Sequence, residues 1–165
     1  MDATVLTETE ARFRADPSTA RTAPAVTASL VNGRARLSAG SFNWDADLPA
    51  KLGGENLAPS PTAYLLGALA GCAVAFLYDT LAPRFDVTID DVSAVAKCST
   101  DFRGLVGIDG VAPDLGNLAL EIRVSSSSPR DRVDAMLSAW QDRCPIYLAL
   151  LKPQSIALTV AGAAT

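Results

Sequence analysis

The sequence predicts an α+β domain, on three observations. Two strand-like runs meet at Asn32-Gly33, a strong signal for a tight hairpin. A long apolar stretch from Ser60 to Pro83 carries helix signals at both ends. A second helical stripe, Val133 to Trp140, is bracketed by segments that alternate apolar and polar residues. The resulting order of strands, helix, strands, helix and strand belongs to an α+β domain.

The elements follow in chain order. "TETEARFRA" reads as a short helix in which Glu8 and Arg12 are spaced to pair, and Asp16-Pro17 should end it. "AVTASLV" and "RARLSAGSFNWDADL" read as the two strands of the hairpin, and "PAKLGGENLAPSP" as a turn-rich surface loop. Ser60 is a hydroxyl N-cap with Pro61 at the first helical position, so a helix starts there and runs to Leu81 or Ala82, with Pro83 as its stop. "DVTIDDVSAVAKCST" is a strand whose alternation breaks at Asp90-Asp91, the mark of a bulge. "DFRGLVGIDGVAPDLGN" is a glycine-rich connection, and Leu118, Leu120, Ile122 and Val124 then alternate as a half-buried strand. Ser128-Pro129 announces the second helix, with Val133, Met136, Leu137 and Trp140 along one face. A break at Cys144-Pro145 leads to a further short helix, and "SIALTVAG" reads as a closing strand.

Composition narrows the chemistry. With 165 residues, 49% hydrophobic and 19% charged, the chain is long and apolar enough for one ordered domain. A net charge of −4 argues against nucleic acid or an anionic membrane surface as a partner. There is no histidine, which excludes Ser-His-Asp hydrolysis, Cys-His proteolysis and a His-ligated zinc centre. The uninterrupted apolar run, Ala63 to Tyr78, is shorter than the roughly 20 residues of a membrane span, so a buried central helix is expected. The polar, acidic start lacks the features of an export signal, and a cytoplasmic, reducing location follows.

Three cysteines remain, Cys72, Cys98 and Cys144, far apart and without CxxC pairs. That pattern suits neither a metal cluster nor a disulfide scaffold, so no metal and no cofactor are expected. A free cysteine is most often a small buried hydrophobe, and Cys98 takes that reading. Cys72 and Cys144 have more distinctive settings. Cys72 sits beyond the middle of the apolar helix, and Cys144 caps a helix beginning at Pro145, where exposed backbone N–H groups favour a thiolate. Arg143 next door can add to that effect.

The stretches "PSPTAYLLGALAGC", "DFRGLVG" and "RCPIYLALL" resemble the OsmC/Ohr family, and the likeness extends from about Arg34 to Val160. The resemblance implies an OsmC-like fold of antiparallel sheets with two main helices, built as an intertwined dimer. Residues 31–165 would form that domain, behind an N-terminal extension, 1–30. It further implies thiol-dependent reduction of organic or lipid hydroperoxides, with Cys72 as the peroxidatic and Cys144 as the resolving thiol, a thiol reductant, and a place in the oxidative stress response. Tyr64, Leu65, Leu69 and Phe76 are candidates to line an apolar pocket, with ordinary core contacts as the other reading. Peroxidatic members activate the thiol with an arginine held by a glutamate near the helix start. Here that glutamate position is Thr62, and Glu55 in the preceding loop is a possible substitute. Arg34, Arg36, Arg103 and Lys51 are the basic candidates, of which Arg36 is preferred. The departure at Thr62 supports an alternative: a dimeric OsmC-like protein that binds small molecules without efficient catalysis. Gly67, Gly71 and Ala75, spaced i, i+4 and i+8, allow close approach of a partner helix or of the chain's own sheet.

Overall fold

A computed structural model of the chain describes residues 3–152 and 155–162. The α+β class holds, with two antiparallel sheets and two main helices. Helix α1, Ala3–Ala15, ends before Asp16-Pro17. Asp16 caps the following turn by accepting from the Ser18 N–H. Its one-turn ion pair is Glu10–Arg14, and Glu10 also reaches Arg84 at 2.8 Å, which ties α1 to the far end of the long helix.

Strands β1, Thr27–Val31, β2, Arg34–Ala39, and β3, Phe42–Ala46, form one sheet in that order. The expected hairpin turn is present: Val31 faces Arg34, and Asn32 and Gly33 both have positive φ, 50° and 76°. The stretch expected as one strand from Arg34 to Leu48 is two. It reverses at Gly40-Ser41, where Gly40 takes φ 57° and Ala39 pairs with Phe42.

Helix α2 is continuous for 24 residues, Pro61–Arg84, and thus passes the proline expected to stop it. Its segment Phe76–Leu81 is wound as a π-helix, with the Ala82 N–H bonded to Leu77 O. A π-turn shifts the bonding register by one residue. Pro83, which has no N–H to give, is accommodated just after that shift. By length and composition alone α2 is long and apolar enough to cross a membrane, although its uninterrupted apolar run stays within Ala63 to Tyr78. One side of it, Ala73, Leu77, Leu81 and Ala82, is buried in the chain's own core.

Strands β4, Ile89–Ser99, and β5, Gly116–Ser126, form the second sheet. The register slips between Ile89 and Asp91, at the point where the sequence alternation breaks. Short helix α3, Phe102–Leu105, lies in the connection. The face of β4 with Val92, Ala94, Ala96 and Cys98 is half buried, and α2 packs across the sheet. Helix α4, Arg130–Arg143, buries Met136, Ala139 and Trp140. Ser128 does not cap it. Its hydroxyl instead accepts the Thr88 N–H at 2.8 Å, joining the start of α4 to β4. Helix α5, Pro145–Leu151, follows after the single residue Cys144. The expected closing strand is corrected: Ser155–Gly162 forms no ladder among the described residues, and Ile156, Leu158 and Val160 are 88%, 84% and 79% exposed.

Candidate functional site

Two helix signals build the site. Ser60 Oγ accepts the Ala63 N–H and Pro61 opens α2, as the sequence indicates. Tyr64, in the first turn, donates its hydroxyl to the Asp45 carbonyl at 2.5 Å and meets the Trp44 ring, which docks β3 against the start of α2. Cys72 lies eleven residues beyond Pro61, about 16 Å along the helix at 1.5 Å per residue. The π-segment begins four residues after it.

Cys144 joins two helices. Its N–H bonds to Trp140 O at 2.9 Å as the last bond of α4, and its carbonyl accepts from Leu148 at 3.0 Å as the first bond of α5. That double role fixes the side chain, which is fully buried. The Cys72 and Cys144 sulfurs lie 3.1 Å apart, so residues separated by 72 positions bring their thiols into contact. Both are free thiols, about 1 Å farther apart than bonded sulfurs. Cys98 stands apart on the β4 face.

The electrostatics are set by burial and by the neighbouring thiol. Burial pushes the Cys72 thiol up to about 11, and the hydrogen bond and charge of Cys144 act in the same direction. The Ile146 N–H, in the first turn of α5, opposes this by bonding to Cys72. The helix start expected to favour a thiolate on Cys144 therefore acts on Cys72. Arg143 is exposed.

The basic candidates are engaged elsewhere. Arg36 pairs with Asp45, the residue opposite it in the β2–β3 register, at 2.5 Å. Arg34 reaches Glu55 at 3.2 Å and Asp45 at 4.0 Å. Arg103 binds Asp101 at 2.6 Å, which raises the arginine and lowers the carboxyl. Lys51 sits 4.3 Å over the Phe102 ring. None of the four figures among the described groups that act on Cys72. Arg34 and Pro61 line the same cavity of about 440 Å³, which neither Cys72 nor Cys144 lines. Leu30, Asp47 and Leu52 line it too, whereas Tyr64, Leu65, Leu69 and Phe76 do not. Of those four, Leu69 is buried and Phe76 packs on the core.

The Arg34–Glu55 pair depends on a residue that sequence reasoning missed. Asp47, 7% exposed, accepts the N–H groups of Leu48, Glu55 and Leu57 at 2.8, 3.2 and 3.0 Å. The Leu57 N–H is the largest cause holding its carboxyl below the usual range. Gly54 completes the loop, since a Cβ there would collide with the Leu48 carbonyl. The available signal was an aspartate opening a loop rich in Gly and Asn, where such side chains bond nearby backbone. Among the described residues no cluster of three or more Cys, Asp or Glu could hold a metal ion.

The family model for OsmC-like protein matches residues 53–159. An OsmC-like protein from Mycoplasma pneumoniae superposes with a TM-score of 0.63 at 21% identity, over 79% of this chain and 88% of that one. An organic hydroperoxide resistance protein OsmC from Legionella pneumophila gives 0.58 at 19% identity, over 78% and 89%. The organic hydroperoxide resistance protein OhrB of Bacillus subtilis gives 0.50 at 16%, over 78% and 90%. At these identities the likeness carries the fold. No curated protein sequence matches the chain.

Proposed function

The chain belongs to the OsmC-like protein family, and from that membership and its paired thiols we propose that it is a thiol-dependent peroxidase acting on organic hydroperoxides. The observation that carries this reading is the 3.1 Å contact between Cys72 and Cys144. Two of the structurally similar proteins bear names of organic hydroperoxide resistance. In the proposed cycle the Cys72 thiolate attacks the terminal oxygen of ROOH, the O–O bond breaks, and RO⁻ takes a proton to leave as ROH. Cys72 then carries a sulfenic acid. Cys144, deprotonated, attacks that sulfur, the S–O bond breaks, and the oxygen leaves as water. An external thiol supplies two electrons and two protons to reopen the disulfide, which suits a reducing cytoplasmic setting.

The cycle needs a cation near Cys72, and we assign that role to a second copy of the chain. The reading is a homodimer, supported by Leu30 at 81% and Phe42 at 74% exposure and by the open Gly67–Gly71 face of α2. Arg36, the preferred activating residue, and Arg34 both lie on the β1–β3 sheet, which docks at the start of α2 within one chain. In the dimer of this reading, the partner's copy of that sheet supplies the cation.

The test is turnover. Reduced protein should consume cumene hydroperoxide with a dithiol reductant, and Cys72→Ser should fall to the uncatalysed background. Turnover that survives this substitution rejects the role given to Cys72.

A second reading is favoured by one observation, the Cys72 thiol pushed up to about 11. In it the protein is a dimeric small-molecule binder without efficient catalysis. Thiol ionisation of the assembled protein separates the two. A Cys72 value well below that of free cysteine selects the peroxidase, and one at or above it selects the binder.

A further inference from the structure

Trp140 holds a buried polar group that the chain leaves without a partner. Its side chain is 3% exposed, and its indole Nε1 has no acceptor among the described residues. Buried donors are almost always paired, so an orphan in a folded protein calls for a reason. A phenylalanine would fill an apolar site without leaving a donor unsatisfied.

The residue's position suggests the reason. Trp140 is one helical turn before Cys144 and accepts its N–H at 2.9 Å. Residues four apart share a helix face. The indole also lies against the Tyr147 ring, with centroids 5.0 Å apart and planes at 40°. Trp140 and Cys144 belong to one buried cluster, and Cys72 packs against it. The indole thus belongs to the same buried cluster as Cys144, with the partly buried Cys72 packed at its edge.

In the reduced protein that cluster meets two touching thiols, which are weak acceptors. Oxidation changes this. When Cys72 takes an oxygen from a hydroperoxide, a strong acceptor appears at the edge of this buried cluster. We propose that the Trp140 Nε1–H donates a hydrogen bond to the oxygen acquired by Cys72, holding the sulfenic acid in place for attack by Cys144. The inference rests on the peroxidase reading and adds a residue to it. The bond forms after the S–O bond is made and the alcohol has left. It is given up when Cys144 forms the S–S bond and the oxygen departs as water. Holding the oxygen favours disulfide formation over a second oxidation to the sulfinic acid.

The experiment arrests the cycle at the sulfenic acid. Cys144→Ser protein, labelled with ¹⁵N, receives one equivalent of cumene hydroperoxide, and peptide mapping locates the added oxygen. The chain has two tryptophans, so two indole N–H signals arise, assigned with Trp44→Phe. The expected result is one oxygen on the Cys72 peptide, a downfield shift and slower solvent exchange for the Trp140 indole, and an unchanged Trp44 signal. An oxygen on Cys72 with an unmoved Trp140 signal overturns this inference alone. No oxygen on Cys72 overturns both the inference and the peroxidase reading. As a second measurement, Trp140→Phe in the otherwise native chain should form sulfinic acid several-fold more readily under excess hydroperoxide; an unchanged ratio of sulfinic acid to disulfide counts against it.

Discussion

Asp47 illustrates how a single carboxylate organises a loop. Three backbone N–H groups converge on it, and they bring Glu55 to Arg34. Those bonds hold its folded value below the ordinary 3.8. Above 3.8 the carboxylate is ionised in both states, and the folded protein has the full benefit of the bonds. As pH falls below 3.8 the unfolded chain takes up the proton first, so stability drops until the folded group protonates too. Asp47→Asn should therefore be less stable than the native protein at neutral pH, with the gap closing in acid. Urea midpoints measured across that range check it, and a gap that stays constant contradicts the assigned bonding. Glu55 was named from sequence because its loop precedes α2, and the structure places it against Arg34 at 3.2 Å. Asp47 offered only the weaker signal of an aspartate opening a Gly- and Asn-rich loop, since its three partners are spread from Leu48 to Leu57.

The long helix carries the clearest contrast between local and distant information. Its start was legible at Ser60-Pro61, where cap and proline act within one turn. Its end was not, since Pro83 is a stop only for a regular ladder and the π-segment Phe76–Leu81 changes the ladder ahead of it. The β3 strand was missed because alternation runs on through Gly40-Ser41, so the reversal rests on one glycine at φ 57°. The small residues of α2 sort by face. Ala73 is buried, whereas an added Cβ at Gly67 or Gly71 meets nothing within 4 Å. In an isolated chain Gly71→Ala would gain about 1 kcal/mol of helix propensity. The dimer reading covers this face with another copy, so Gly71→Leu should keep its helix content by circular dichroism yet lose the dimer in light scattering. A variant that stays dimeric contradicts the covered face.

Across the whole molecule, the fold was legible from elements that each announce themselves locally, whereas the pairing of Cys72 with Cys144 came from the resemblance to the OsmC/Ohr family, since neither helix setting names the other thiol. Where the basic candidates would lie relative to Cys72 was not legible, because it depends on where one sheet docks. Tyr64 bonded to Asp45 holds the β1–β3 sheet at the first turn of α2, and Arg36 is spent on Asp45. The exposed alternation Ile156, Leu158, Val160 has the period of a strand, but periodicity does not say which edge receives it. At the centre of the proposed function is the contact of two free thiols 3.1 Å apart. The most direct measurement treats the reduced protein with one equivalent of cumene hydroperoxide and maps its peptides without reduction. The account predicts a Cys72–Cys144 cross-link, two hydrogens lighter than the dithiol, with one equivalent of alcohol released. Two alkylatable thiols and recovered hydroperoxide would contradict it.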